Sequence, residues 1–219
     1  MVEKTKLNIS KDDVISEELY IGAGESIAMK RIMKVIDSIL KDYPDVNVHL
    51  LSATAPIIES KIDSGNLDFG ITMGKRKAGN YESLALPEKN EYGVVISHNH
   101  LLAKRKEITA HDLTDYPLII SRRSSNSDDF RDFWGSSNIL NTVLTFNLNY
   151  NAQYLLKYGN YCLFTYKDLT NLEDGNLIYR PIKPTVYDNN RVIWRKDIEL
   201  SNVAQLFLKR LKENLEMEK

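Results

Sequence analysis

The sequence has little of what would mark several large classes of protein. A single cysteine, Cys162, excludes an internal disulfide and fits a reducing compartment. No run of about 18 apolar residues occurs, so no segment is expected to span a membrane. Basic excess is missing: 29 Lys and Arg stand against 30 Asp and Glu, for a net charge of -1. That balance gives this stretch no electrostatic footprint for nucleic acid. The start, Met1-Val2-Glu3-Lys4-Thr5-Lys6, has no apolar run after its charges, so no signal peptide is expected and the cytoplasm is the expected location. There is no Gly-Lys-Ser/Thr phosphate loop and no Gly-x-Ser-x-Gly elbow. Gly22-x-Gly24 stops short of the dinucleotide fingerprint, because position 27 is Ile. The four histidines, His49, His98, His100 and His111, lack metal-ligand spacing with carboxylates or the cysteine. No metal and no cofactor are therefore expected.

What is present is an ordinary globular composition, 42% apolar and 27% charged over 219 residues. That is chain enough for one large domain or two small ones with a real core. Residues 1 to 17 are polar and aperiodic and read as a tail or linker remnant. From Leu19 a βα alternation begins. Leu19 to Gly22 reads as a strand, and Ser26 to Asp42 as a helix with Ile32, Val35, Ile36 and Ile39 at helical spacing. Val46 to Leu51 is a second strand. Thr54 opens a second helix with Pro56 early in its first turn and Ile58 and Ile62 on its apolar face, and Leu67 to Thr72 is the next strand. Further strands are expected at 82–86, 93–97, 118–121, 142–148, 161–165, 177–182 and 191–194. Short helical segments are expected at 100–104, at 112–114, from a Ser125-Asn126-Ser127 cap through Trp134, and at 152–158. Ser201 caps a last helix, with Val203, Leu206, Phe207, Leu211 and Leu215 as its buried stripe.

Strands alternating with helices predict an α/β fold with a parallel sheet. Two polar stretches, Pro87 to Glu91 and Tyr187 to Asn190, break the pattern. Two such crossings predict two lobes, 18–90 with 194–219 and 91–193, joined by a double connection of two crossover strands. A cleft between lobes is a preferred place for a ligand.

The turn Gly22-Ala23-Gly24-Glu25-Ser26 carries the clearest chemistry. Backbone donors at a helix start, next to a small hydroxyl, suit a carboxylate or another small polar ligand. Ser26 serves equally well as a plain N-cap. Glu25 would repel an anion unless it points away. It suits an amine-bearing or neutral ligand, or simply complements the helix dipole.

These residues resemble a family. Leu19-Tyr20-Ile21-Gly22 before a long helix, then Tyr43-Pro44-Asp45-Val46, then Gly65-Asn66-Leu67-Asp68-Phe69-Gly70-Ile71 is similar to the effector-binding domain of LysR-type transcriptional regulators. The second half agrees, with His100-Leu101-Leu102-Ala103, Asp112-Leu113-Thr114-Asp115-Tyr116-Pro117-Leu118-Ile119-Ile120 and Val192-Ile193-Trp194-Arg195 in the family's order. The match covers roughly residues 18 to 216. The resemblance implies a type-2 periplasmic-binding-protein fold of two Rossmann-like lobes. It implies a small effector in the cleft and coupling of that effector to regulator geometry. DNA would be read by a winged helix-turn-helix that this chain does not contain. The resemblance also implies a homodimer, with the helix at 26–42 and the strand at 46–51 packed against 151–165 of the partner. The same apolar stripe could equally be intramolecular core.

Further candidates for the cleft follow strand ends. Ser52, Ala53 and Thr54 follow the second strand, where the family commonly places a hydroxyl, although Thr54 is expected chiefly as a helix cap. Thr72 and Met73 end the third strand. In the second lobe Ser121 and Arg122 follow an apolar strand, and an Arg there could hold a carboxylate; Arg123 is expected in a solvated loop. Asn149 and Tyr150 form a polar-aromatic turn, with Asn151 as N-cap, and Thr165 ends the Cys162 strand. With Gly24, Glu25 and Ser26 these are the expected ligand-binding residues. Cys162 itself reads as a buried inert thiol.

The expected function is a non-enzymatic sensor of a small molecule. The rival is a solute-binding protein of a transporter with the same fold. An enzyme on the same lobes, such as a deaminase or a prephenate-type dehydratase, would need a positioned acid or base, and none is identifiable in the sequence.

Overall fold

A computed structural model describes residues 18–74, 79–126, 130–135, 140–173 and 175–217. The expected tail of residues 1–17 and Ser127 of the expected helix cap lie outside the described residues. The first unit is β1 (Glu18–Ala23), α1 (Met29–Asp42), β2 (Asn47–Ser52), α2 (Ala55–Asp63) and β3 (Phe69–Met73). A long strand, β4 (Tyr81–Ser97), leads into the second: α3 (Ala110–Leu113), β5 (Leu118–Ser121), α4 (Arg122–Asn126), α5 (Arg131–Trp134), β6 (Thr142–Phe146), α6 (Asn149–Ala152), β7 (Cys162–Tyr166) and β8 (Leu177–Pro181). The chain returns through β9 (Tyr187–Arg195) to the terminal α7 (Asn202–Met217).

The strands join in the order β2-β1-β3-β9-β4-β7-β5-β6, with β8 against β4. Pairing is parallel between β1 and β2, β1 and β3, β5 and β6, and β5 and β7. The antiparallel strands are the two that cross between the halves, together with β8. β4 pairs with β9 from Tyr81 to Glu91, then with β7 and β8 from Tyr92 to Ser97.

Each half of the sheet is covered on both faces, as parallel sheets require. In the first half Leu19, Ile21, Phe69 and Ile71 face Ile32, Val35, Ile36 and Ile39 of α1 and Val203, Phe207 and Leu211 of α7. The opposite face receives Ile58 and Ile62 of α2. Gly22 lets α2 lie this close: a Cβ there would stand 2.5 Å from Leu67 Cδ1 and 3.2 Å from Ile58. In the second half Phe164, Ile120 and Val94 pack under Phe130, Phe133 and Trp134, while Val95, Ile119 and Leu163 pack under Ala152 and Leu156.

The α/β fold agrees with the expectation, and several local expectations do not. The two polar stretches run as strand where the halves cross, as expected of crossover strands, but each is part of a longer strand than expected. Pro87 and Glu88 sit at a bulge between Leu86 and Lys89 of β4, where a proline costs no ladder hydrogen bond. Tyr187 to Asn190 opens β9. The buried asparagines of the two stretches bond across them: Asn90 Nδ2 donates to Asn190 Oδ1 at 2.8 Å, and Asn190 Nδ2 donates to the Glu88 carbonyl at 2.8 Å.

Ser26 is not the cap of α1. That helix starts at Met29, and its first N–H groups bond the carbonyls of Ser26, Ile27 and Ala28 in a tight turn. The Ile27 N–H goes to Asn90 Oδ1 at 3.1 Å. The Ser26 hydroxyl is buried without a partner among the described residues. Asn151 is likewise no cap, because α6 starts at Asn149 and encloses it. The expected helix at 152–158 is the short α6 followed by a 3-10 turn at Gln153–Lys157. The expected helix through Trp134 is two short helices, α4 and α5. Thr54 precedes α2 with no side-chain cap bond, and the Ile57 and Ile58 N–H groups use its carbonyl instead.

Candidate functional site

The carboxyl ends of β1, β2, β3, β5, β6 and β7 open toward one cavity of about 720 Å³ between the two halves of the sheet. In an open α/β sheet the chain leaves the core at these ends, so side chains there escape the demands of packing and can face a ligand.

On the first half, Gly24, Glu25, Ala53, Thr54, Thr72 and Met73 line it, all expected. Gly24 is required by close approach, since a Cβ there would stand 2.7 Å from Met73 Cε. On the second half the expected Ser121, Arg122, Asn149 and Thr165 line it. Three expected residues do not. Ser26 is buried behind the wall, Ser52 is exposed at the outer edge of the sheet, and Tyr150 is 62% exposed with its hydroxyl bonded to Tyr154.

The two arginines exchange roles. Arg123, expected in a solvated loop, is the one that turns inward. Its guanidinium forks onto Asp188, with Nη1 to Oδ2 at 2.5 Å and Nη2 to Oδ1 at 3.1 Å. Arg122 lines the cavity but is exposed. Asp188 Oδ2 also accepts the hydroxyls of Tyr92 at 2.9 Å and Tyr166 at 2.5 Å. Burial alone would raise the Asp188 carboxyl, but the hydrogen bonds from Arg123 and the two phenols, with the charge of Arg123, hold it below its usual value. Burial pushes both phenols up, and the Asp188 charge adds to this. At neutral pH the group is therefore a paired ion with two neutral phenols.

The quartet spans α4, β4, β7 and β9, and it leans on the first half through Gly74. That residue has φ +76°, and a Cβ on it would stand 1.9 Å from Arg123 Nη2. Sequence reasoning missed Arg123, Tyr92, Tyr166 and Asp188. One signal was available: Asp188, Asn190 and Val192 alternate on the buried face of β9, so a carboxylate stands at a core position.

A second contact crosses the cleft. Glu25 Oε2, after β1, accepts the backbone N–H of Asn149 at 2.5 Å. The Asn149 amide nitrogen donates to the Leu169 carbonyl at 3.0 Å and to Thr170 Oγ1 at 3.3 Å. Thr72 Oγ1 and Asn149 Oδ1, on residues each 1% exposed, have no partner among the described residues.

Outside the cleft, Cys162 is fully buried, and burial pushes its thiol up to about 12. His100 Nε2 stands 3.7 Å away, and burial lowers the pKa of that imidazole. A thiol held in that state is no nucleophile. Among the described residues no group of three His, Cys, Asp or Glu side chains could hold a metal ion. No helix among them is long and apolar enough to cross a membrane.

A family model described as the LysR substrate binding domain matches residues 12–216. The chain belongs to this LysR family. The type-2 periplasmic-binding-protein-like fold of two lobes is the family's known fold. Among similar proteins, the "Probable RuBisCO transcriptional regulator" of Thalassiosira pseudonana is 27% identical over 135 residues, 60% of this chain and 43% of that protein. The HTH-type transcriptional regulator CysB of Haemophilus influenzae is 31% identical over 105 residues, 46% of this chain and 31% of that protein. The chain thus matches less than half the length of either relative. Among solved structures, HinK, a LysR family transcriptional regulator from Pseudomonas aeruginosa, superposes with a TM-score of 0.72 at 18% identity, over 93% of this chain and 71% of that one. In this LysR domain, then, the cleft lies where the strand ends of the two halves meet, and of its two arginines Arg123 is paired internally with Asp188 while Arg122 is exposed.

Proposed function

We propose that this LysR domain is the effector-sensing part of a transcriptional regulator, binding a small metabolite in the cleft. The carrying observation is the 720 Å³ cavity at the strand ends, walled by residues from both halves. A ligand that touches both walls more favourably at one lobe angle shifts the population toward that angle. The division into lobes 18–90 with 194–219 and 91–193 is part of this proposal, as are a cytoplasmic location and DNA contact through a separate domain. Family membership, with relatives named as transcriptional regulators, favours this reading over a transporter's solute-binding protein.

The ligand-binding residues proposed are Gly24, Glu25, Ala53, Thr54, Thr72, Met73, Ser121, Arg122, Asn149 and Thr165. A homodimer is proposed through α1 and β2 against the 151–165 segment of a partner. Support comes from exposed apolar side chains on both surfaces: Met33 and Leu40 on α1, Leu50 on the edge strand β2, and Tyr154 and Tyr158 on the other.

The sensor reading is tested by thermal shift across amino acids, organic acids and nucleobases, since a ligand of the folded state raises its stability. The hit should bind Thr72→Val about 3–10-fold more weakly, the worth of one lost hydrogen bond. Ser26→Ala, behind the wall, should bind it unchanged. An affinity indifferent to Thr72→Val and to substitutions at Ser121 and Thr165 would remove the effector from the cleft.

A further inference from the structure

We infer that Glu25 makes this cleft a receptor for an ammonium-bearing small molecule, and that it excludes a carboxylate from the Glu25–Asn149 end of the cavity. This rests on the sensor reading and names the chemistry its ligand must present.

Several donors near Glu25 and Asn149 are already used, and the cation that remains at the cavity wall, Arg122, is on the other half of the sheet from Glu25. The N–H groups that open α1 are taken by Asn90 Oδ1 and by the carbonyls of Ser26, Ile27 and Ala28. The backbone N–H of Asn149, which an anion in the cleft would seek, is held by the chain's own Glu25 carboxylate. Both terminal nitrogens of Arg123 lie on Asp188, so that cation is neutralised before any ligand arrives.

Acceptors remain. The Leu169 carbonyl can only accept, so the Asn149 amide must turn its nitrogen toward it, which fixes Oδ1 as the atom left over. That oxygen is buried and without a partner among the described residues. The adjacent Glu25 carries negative charge, which favours a donor with positive charge and disfavours a second carboxylate. An ammonium supplies three donors and one charge. It matches the orphaned oxygen of Asn149 and the Glu25 carboxylate together, and the Thr72 hydroxyl can orient to accept from it or donate to another part of the ligand.

The test uses the 219-residue chain and matched probes: amino acids such as glutamate and lysine, and for each its counterpart without the α-amino group, such as glutarate. Amide NMR reads the Asn149 signal while each is titrated, and thermal shift reads stability. In the wild type, acetate and glutarate should leave the Asn149 amide unmoved. In Glu25→Ser they should shift it saturably, at least about tenfold tighter than in the wild type, one pK-scale unit of differential interaction. Ammonium-bearing probes should stabilise the wild type more than their amine-free partners, and that preference should collapse in the isosteric Glu25→Gln. If glutarate or acetate binds the wild type at Asn149 as tightly as it binds Glu25→Ser, or if the amine-free partner is preferred, the inference is overturned and the sensor reading stands. If no cleft amide responds to any probe in the wild type or either variant, both are overturned.

Discussion

Replacing Arg123 by Met should cost this domain roughly 2–3 kcal/mol at neutral pH, and the cost should shrink as the solution is acidified. The substitution keeps the aliphatic volume beside Gly74 and removes the forked cation from Asp188. Removing one partner of a fully buried ion pair costs about 3–5 kcal/mol, because the other charge is left uncompensated. Two features reduce that here: the Arg123 side chain is 34% exposed, and Asp188 keeps the hydrogen bonds of Tyr92 and Tyr166. For a domain of this size the loss corresponds to a fall in Tm of roughly 5–10 °C. The pH dependence follows from the sign of the shift. In the wild type the folded-state pKa of Asp188 is depressed, so its contribution is present above the unfolded value and is lost as pH falls through the folded one. Without Arg123 two of the causes that lower that pKa are gone, and burial, the largest single cause, pushes it up from its wild-type position. The variant then favours the protonated acid more than the wild type does, and its deficit narrows as pH drops from 7 toward about 4. Thermal melts of the wild type, Arg123→Met, Asp188→Asn and the double variant across that range measure both the loss and the coupling. A deficit that stays constant with pH, or a coupling energy within about 0.5 kcal/mol of zero, would refute the account of Asp188 as a charge that Arg123 keeps ionised.

Two other outcomes are expected. Cys162 is fully buried with its thiol pushed up to about 12, so a thiol-specific reagent at pH 8 should label it only at the rate of unfolding, and rapid labelling of the native domain would contradict its placement. Leu50→Asp, on the exposed edge strand, should leave the Tm within about 1 °C and shift sedimentation from dimer to monomer; a wild type already monomeric at working concentration would refute the proposed interface.

Much of the fold is legible in the sequence for a plain reason. Period-2 and period-3.6 apolar patterns, as in Leu19 and Ile21 or in Ile32, Val35, Ile36 and Ile39, are imposed by burial, and burial is what folding selects. The errors cluster where backbone groups find partners far away in sequence. Ser26 has the composition of a cap, but α1 starts on a tight turn at Met29, and the Ile27 N–H before it reaches Asn90, 63 positions on. Pro87 and the polar run at 187–190 mark the crossings, but nothing local reveals that a bulge absorbs the proline or that Asn90 donates to Asn190 across the pair. Ten of the candidate ligand residues line the cavity because strand ends were legible. Which of two adjacent arginines faces inward was not. At the start of α4 successive side chains diverge by about 100°. A shift of one position in where the strand ends therefore exchanges Arg122 with Arg123.

The pairing of Arg123 with Asp188 also limits what an arginine in such a cleft can be taken to mean. A guanidinium near a ligand cavity suggests an anion anchor only if its charge is available. Here the fork is met by a carboxylate on a crossing strand, two phenols complete that carboxylate's shell, and Gly74 leaves the space in which the guanidinium lies. The same atoms thus tie β3 of the first half to α4, β7 and β4 through β9. A ligand that altered the angle between the halves would have to carry this quartet with it or break the packing against Gly74. Its fixed geometry therefore favours motion about the crossing strands as a hinge, with the Glu25 to Asn149 contact across the cleft as a bond that opening must break. Because Glu25 supplies the carboxylate of that contact, a ligand that competes for it must come as a donor, which joins the motion of the cleft to the chemistry of what it admits.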